Sequence, residues 1–158
     1  IIKLYGEEKK YKKIARNIVK YSKEDKMNTT FDLKKAIQEV TNPRYLNKTL
    51  SRVFQSIRIK VNEEIKNLNL FLENSLKCLK RGGRLVIITF HSLEDSIVKH
   101  FFKENEIECI CPPSFPICNC SHKAKIKIIN RKGILPSISE IEKNSRARSA
   151  KLRIAECL

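Results

Sequence analysis

The sequence predicts an α/β fold in which a basic helical segment precedes part of an open sheet. Apolar residues recur at steps of three or four over much of residues 6–79, a spacing that indicates amphipathic helices. Residues 85–90 then form a nearly continuous apolar run rich in β-branched side chains. Such runs are typical of parallel strands covered on both faces. Polar side chains follow at once, so we expect a central parallel strand there, with helices on both sides of its sheet.

Two helices are predicted near the N-terminus. The first covers residues 6–21, where one stripe is apolar and the opposite face is lysine-rich. The second covers residues 31–40, and Thr29 or Thr30 can cap its start. Pro43 is expected to end this region, since proline lacks a backbone donor and disfavours helical geometry at the preceding residue.

The longest periodic segment is residues 48–79. It predicts one helix about 45 Å long, at ~1.5 Å per residue, with a kink near Asn62. A helix of this length reaches from one layer of a protein into another. We therefore expect a boundary near residue 60, between a helical domain at 1–60 and a sheet-containing domain at 61–158.

The strand at 85–90 is flanked by glycine before it and by polar residues after it. Gly82 and Gly83 are expected to end the long helix, because glycine accepts the left-handed conformation that closes the last carbonyls. Open α/β sheets bind ligands beyond the carboxyl ends of their strands. The first candidates for chemistry are therefore the polar residues at that end, His91, Ser92, Glu94 and Asp95.

The same residues also fit an ordinary helix start. Ser92 is placed to cap a helix over residues 93–103, and Asp95 would lie in its first turn, where a negative charge is favourable. Farther on, strands are predicted at residues 124–130 and 151–156. A short helix is expected to begin after Ser137, which forms a capping-box pattern with the glutamate three residues later.

Six cysteines raise the question of a metal. Four of them form two pairs, Cys109 with Cys111 and Cys118 with Cys120. Thiol pairs without a secretion signal point to zinc or to reduced thiols before disulfides. Each pair encloses one residue, whereas zinc pairs usually enclose two or more, so a proline-braced loop with reduced cysteines stays open as the alternative. Cys78 and Cys157 lie in apolar patterns typical of core residues. No metal ligand is assigned.

The net charge of +16 suits a polyanionic partner. A biased genome also produces lysine-rich surfaces, so charge alone leaves both explanations open. Four arginines are candidates for phosphate contact: Arg52, Arg58, Arg146 and Arg148. The longest apolar run is far shorter than the ~20 residues that span a bilayer, so we expect no membrane association and a cytoplasmic location.

Several segments together resemble the RsmH (MraW) family. These are Tyr-Gly-Glu-Glu at 5–8, Ile-Ala-Arg-Asn-Ile-Val at 14–19, Arg-Val-Phe-Gln-Ser-Ile-Arg-Ile-Lys-Val-Asn at 52–62, the glycine-to-aspartate stretch at 82–95, and Asn-Ser-Arg-Ala-Arg-Ser-Ala-Lys-Leu-Arg-Ile-Ala-Glu at 144–156. Members are S-adenosylmethionine-dependent methyltransferases acting on the exocyclic N4 of a cytosine in the decoding site of 16S ribosomal RNA. The order of the segments is more specific than any one of them.

The resemblance implies the C-terminal half of a Rossmann-like class I methyltransferase sheet, preceded by a helical insertion domain. It implies His91, Ser92 and Asp95 in or beside the active site, and the loop of Arg146 and Arg148 near its edge, in contact with RNA or with the cofactor side. Family members are about twice as long, and their glycine-rich cofactor loop would precede residue 1. No cofactor-binding residue is therefore assigned within this chain, and the fragment is expected to be inactive alone.

Two other functions stay open at this point. One is a non-catalytic, basic RNA-binding module with a cysteine-rich loop that could bind zinc. The other is half of a DNA or small-substrate methyltransferase. The expected partner is 16S ribosomal RNA or the small ribosomal subunit, and a homodimer is left open.

Overall fold

The computed structural model describes residues 1–109, 111, 120 and 122–158. Two compact units are present: the helical unit, Ile1–Glu64, and the sheet unit, Ile65–Leu158. The helices up to residue 61 are α1 Ile2–Gly6, α2 Tyr11–Lys23, α3 Thr30–Gln38 and α4 Leu46–Val61, with a 3-10 turn at Pro43–Tyr45. The later elements are α5 Glu64–Cys78, β1 Arg84–Thr89, α6 Ser92–Glu106, β2 Ile126–Ile128, α7 Ile138–Lys143, a 3-10 turn Ser145–Ser149 and β3 Lys151–Cys157. A mixed α/β fold is therefore confirmed.

The single helix predicted over residues 6–21 is wrong. Glu7 adopts a left-handed conformation with φ of 49° and ends α1, so the chain starts a new helix at Tyr11. Gly6 lies against α4, where a Cβ atom would be 2.7 Å from the carbonyl oxygen of Arg52. Glycine at this position therefore allows α1 and α4 to approach closely.

The predicted cap at Thr29 is confirmed. Its hydroxyl oxygen accepts the backbone N–H of Asp32 at 3.3 Å, and the Asp32 carboxylate accepts the backbone N–H of Thr29 at 2.9 Å. The helical unit closes around Ile14, Ile37 and Val53, none of which has exposed surface. Burial of these three side chains holds α2, α3 and α4 together.

The single long helix predicted over residues 48–79 is also wrong, although the chain does change direction near Asn62, where a kink was predicted. It is divided into α4 and α5 at Asn62 and Glu63, and Glu63 has a φ of 51°. The apolar spacing runs through this break because periodicity reports which side chains are buried. It does not report whether the backbone between them stays helical.

The sheet contains three strands among the described residues, in the order β1-β3-β2. β3 runs antiparallel to both neighbours, with Ile87 opposite Arg153. The outer strands are therefore parallel to each other. The apolar core lies on one face of this sheet, around Leu85, Ile87 and the α6 residues Val98 and Phe102.

The prediction of a parallel strand buried on both faces is wrong for β1. Leu85, Ile87 and Thr89 are buried, whereas Val86 and Ile88 are 52% and 54% exposed. Burial differs between the two faces because the described helices pack against the face that carries Leu85 and Ile87. The opposite face, with Val86 and Ile88, has no described helix in this core cluster. An apolar run thus alternates in burial here although it does not alternate in polarity.

Gly82 has the predicted left-handed conformation, with φ of 77°, but it does not cap the helix. α5 ends earlier, at Cys78, and Gly82 instead lies in a tight turn closed by the Gly83 N–H donating to the Lys80 carbonyl at 2.8 Å. Ser137 caps α7 as predicted, accepting the Glu140 N–H at 3.2 Å. None of the described helices has the length and apolarity needed to cross a bilayer.

Candidate functional site at the carboxyl end of β1

A pocket of about 330 Å³ opens where β1 ends and α6 begins. This volume lies at the lower end of the range for small-molecule sites. The pocket is lined by Thr89, Phe90, His91, Ser92, Asp95, Ser96, Lys99, His100, Ser149 and Lys151. The structure thus brings His91, Ser92 and Asp95 to one pocket, at the sheet edge where the sequence predicted a site.

His91, and not Ser92, is the residue that caps α6. Its Nδ1 accepts the backbone N–H of Glu94 at 3.3 Å, and the Glu94 carboxylate accepts the backbone N–H of Phe90 at 2.8 Å. The cap prediction for Ser92 is therefore wrong, because the extended backbone that a capping residue needs occurs one residue earlier. Ser92 is the first helical residue and is exposed.

The orientation of the His91 ring follows from this cap. Since Nδ1 accepts a hydrogen bond, the neutral ring carries its proton on Nε2. Nε2 is buried and lies 3.2 Å from the Glu94 carboxylate, but it is not aligned for a hydrogen bond. The contact is therefore electrostatic.

Asp95 is held on both of its carboxylate oxygens. Arg153 donates to them from Nε at 2.6 Å and from Nη2 at 3.1 Å, and Lys151 donates from Nζ at 3.0 Å. Arg153 is only 5% exposed, so its charge depends on this partner. The fork connects the first turn of α6 to β3 and fixes one wall of the pocket.

Both carboxylates at this helix start are stabilised in the charged form. Burial alone would raise the pKa of Asp95, but the hydrogen bonds from Arg153 and Lys151 outweigh it and lower that pKa. Burial likewise opposes the shift at Glu94, where contact with His91 and the Phe90 N–H lowers the pKa. Asp95 and Glu94 are therefore anions at neutral pH.

The four candidate arginines have different surroundings. Arg146 and Arg148 are exposed in the 3-10 turn that leads into the pocket through Ser149. Arg52 pairs with Glu8 at 3.3 Å, and Arg58 forms a fork with Glu64 at 2.8 and 3.1 Å. Arg52 and Arg58 thus bind separate carboxylates within the helical unit.

Three of the four paired cysteines lie in the described part of the chain. The sulfur atoms of Cys109, Cys111 and Cys120 all lie within 4.8 Å of one another. Cys118 falls outside the described residues. Cys78 is exposed and Cys157 is partly exposed, so the prediction that both are core residues is wrong for Cys78.

Residues 1–158 match the model of the MraW methylase family over the whole chain. The chain belongs to the MraW methylase family. Similar proteins named ribosomal RNA small subunit methyltransferase H occur in Caldicellulosiruptor saccharolyticus, at 47% identity over 99% of this chain and 51% of the relative, and in Clostridium botulinum, at 51% identity over 98% of this chain and 50% of the relative. A third, from Carboxydothermus hydrogenoformans, is 47% identical over 98% of this chain and 50% of the relative.

The predicted resemblance to the RsmH (MraW) family is thereby confirmed. This chain spans about half the length of the curated family members that it matches. Its own four glycines do not form a glycine-rich cradle, so the described residues do not fit the main binding loop for S-adenosylmethionine.

Sequence reasoning missed Lys151 as a residue that lines the pocket and Arg153 as the buried partner of Asp95. A signal was present for Arg153, which stands two residues before Ala155 in the last strand. Both residues point to the covered side, and a charge on such a face requires a buried partner. Lys151 carried no comparable signal, because a lysine at the start of a strand is ordinary surface composition.

Proposed function

We propose that this chain is part of an S-adenosylmethionine-dependent methyltransferase that modifies the exocyclic N4 of a cytidine in the decoding region of 16S ribosomal RNA. The family match over residues 1–158 carries the proposal. The names of the similar proteins favour ribosomal RNA of the small subunit as substrate. In this proposal residues 61–158 form part of a Rossmann-like class I core, and residues 1–60 form a helical insertion domain that recognises the substrate.

The geometry of β1 supports a larger sheet than the three strands described. Its edge away from β3 has no partner strand among the described residues, and Val86 and Ile88 expose an apolar face. Unpaired edges and bare apolar faces are normally covered in native proteins. Further strands and helices of the same enzyme would cover both, and would supply the main contacts to S-adenosylmethionine.

The pocket suits a flipped nucleobase. Phe90 at its rim is 53% exposed and offers a ring for stacking, while the hydroxyl of Ser92 offers a hydrogen-bond partner for the edge of the base. Lys99 lines the same pocket and supplies positive charge for a neighbouring phosphate. Arg146 and Arg148 are proposed to extend this contact along the RNA, and Arg52 and Arg58 to contribute from the helical unit.

The three candidate catalytic residues receive different roles. The lone pair of a cytosine amine is delocalised into the ring, so an acceptor for an amine proton restores its nucleophilicity. We assign that contact to Ser92. His91 positions Ser92 by capping α6, and Asp95 positions the pocket wall, because both its oxygens already bind Arg153 and Lys151.

The test is methyl transfer from labelled S-adenosylmethionine to unmodified small ribosomal subunits. The 158-residue chain is compared with the same chain extended by the upstream sequence of its gene. We expect label in N4-methylcytidine only with the extended protein. In that protein Ser92→Ala is expected to lower kcat at least ~10-fold, whereas Ser22→Ala, which removes an exposed hydroxyl from α2, is expected to leave it unchanged.

Absence of transfer by the extended protein, with RNA binding retained, would contradict the enzyme proposal and favour a non-catalytic RNA-binding module. Label in DNA but not in ribosomal RNA would contradict the substrate class. Equal activity of the Ser92→Ala and Ser22→Ala variants would remove Ser92 from the proposed chemistry and leave the methyltransferase assignment intact.

A further inference from the structure

The cysteine cluster lies in the connection between α6 and β2, away from the pocket. Cys109 follows the end of α6 at Glu106, and Cys120 precedes the start of β2 at Ile126. The pocket lies at the other end of α6, whose fifteen residues span about 22 Å at ~1.5 Å each. The cluster is therefore not part of the proposed catalytic site and needs a separate explanation.

The distances between the sulfur atoms fit shared coordination of one metal ion. Cys120 Sγ and Cys109 Sγ are 3.6 Å apart, well beyond the ~2.05 Å of a disulfide bond. Two sulfurs bound to one tetrahedral zinc at ~2.3 Å are about 3.8 Å apart. The third sulfur, from Cys111, lies within 4.8 Å of the other two, so a small adjustment brings all three to a common centre.

The short spacing between Cys109 and Cys111 is compatible with a metal site. The backbone N–H of Cys111 donates to the Cys109 sulfur at 3.4 Å. A hydrogen bond of this kind stabilises the thiolate, which is the form that binds metal. The backbone of the second cysteine thus supports the sulfur of the first.

His122, two residues after Cys120, also has a buried ring nitrogen. The Nε2 atom of His122 is buried and has no hydrogen-bond partner in the part of the chain that the structure describes. Buried side-chain nitrogens without a partner are uncommon in native proteins. The sulfur cluster does not include this nitrogen, so the assignment of a metal rests on the three cysteines.

We propose that Cys109, Cys111 and Cys120 bind a structural zinc ion. Thiolates favour soft metals, and zinc is the common tetrahedral choice without redox chemistry. Binding displaces the thiol protons to solvent and forms three Zn–S bonds. The ion would tie Cys109, close to the end of α6, to Cys120, close to the start of β2, and its binding free energy would add to the stability of the folded chain.

The first experiment uses the unaltered 158-residue chain, purified in reductant, stripped with chelator and reloaded with zinc. We expect one zinc per chain by elemental analysis. Zinc is expected to protect Cys109, Cys111 and Cys120 from alkylation, as measured by peptide mass spectrometry. Cys78, exposed on α5, serves as the internal control and should react equally with and without zinc.

The second experiment replaces zinc with cobalt(II), whose visible spectrum reports tetrahedral geometry and bound thiolate. Cys109→Ser and Cys120→Ser are each expected to weaken cobalt binding by more than roughly 100-fold. Removing only a hydrogen bond that supports a metal ligand typically costs roughly 10-fold to 100-fold, and loss of the ligand itself should cost more. Cys78→Ser is the matched control and should bind as the original chain does.

Failure to retain stoichiometric zinc would overturn the proposal, as would an octahedral cobalt spectrum. Alkylation of Cys109 at the same rate with and without zinc would overturn it too. Since the labelling experiment uses no substitution, a misfolded serine variant cannot obscure the result. Methyl transfer is not measured, so this proposal stands or falls independently of the proposed enzyme activity.

Discussion

In the helical unit Ile14, Ile37 and Val53 lie between helices with no exposed surface, whereas strand β1 of the sheet unit hides only every second side chain. Both regions are apolar in sequence. The helical unit uses its apolar residues to close a core, but β1 leaves Val86 and Ile88 about half exposed. The difference shows that the helical unit encloses a core of its own, while β1 presents an apolar face suited to further packing.

The largest expected effect concerns the covered side of the sheet unit. Phe102 is 1% exposed, and Phe102→Ala is expected to lower the free energy of unfolding by about 3–5 kcal/mol. Phe90→Ala removes the same ring from a site that is 53% exposed and should cost less than about 1 kcal/mol. Urea unfolding followed by circular dichroism measures both, and amide hydrogen exchange separates the two units. Equal losses would contradict the one-sided core.

A smaller effect is expected from the ion pair that connects α6 to β3. Asp95→Asn leaves the buried Arg153 without its charge partner and should cost about 3 kcal/mol at pH 7. The matched control is Glu156→Gln. Glu156 pairs with Arg84, whose side chain is 64% exposed, so this substitution should lower the free energy of unfolding by less than about 1 kcal/mol.

The pH dependence provides a second test of this pair. The pKa of Asp95 is lowered in the folded state, so its contribution is complete above the unfolded value of about 3.9 and is lost as pH falls through the lowered folded value. The gap in stability between the original chain and Asp95→Asn should therefore shrink below about pH 4. A gap that stays constant in acid would exclude the ion pair as its cause.

The smallest effect compares one valine from each unit. Val53→Thr places a hydroxyl in the closed helical core and should cost about 1–3 kcal/mol, because the group is desolvated there. Val86→Thr, at a site 52% exposed, should change stability by less than about 0.5 kcal/mol. Similar costs at the two sites would indicate that the open face of β1 is covered in solution. Sedimentation would then test whether a homodimer covers this face.

Local features were predictable from the sequence, and tertiary ones were not. The caps at Thr29 and Ser137 depend on residues three apart in the chain, so their patterns identify them directly. The sequence predicted a kink near Asn62, but it did not predict that the helix ends there, because the left-handed conformation of Glu63 is one that no local pattern favours. One-sided burial of β1 depends on which helices are available to cover it, and an apolar run carries no information on that.

The same distinction between local and tertiary features applies to the candidate site. Its location was predictable, because polar residues followed an apolar strand at His91 and Ser92. Its electrostatics were not, because Asp95 and Arg153 are 58 residues apart and meet only when β3 pairs with β1. The sequence pattern predicted Ser92 as the cap of α6, whereas the structure has His91, and pattern reasoning does not resolve a difference of one residue.

The order of strands determines when the sheet unit can fold. β3 lies between β1 and β2 in space, yet it is the last of the three along the chain. Among the described strands, neither β1 nor β2 can form its ladder with β3 until residues 151–157 have been synthesised. Sequence-distant pairing of this kind is slow. A chain that ends before residue 151 would therefore lack the strand that joins β1 to β2 in this sheet.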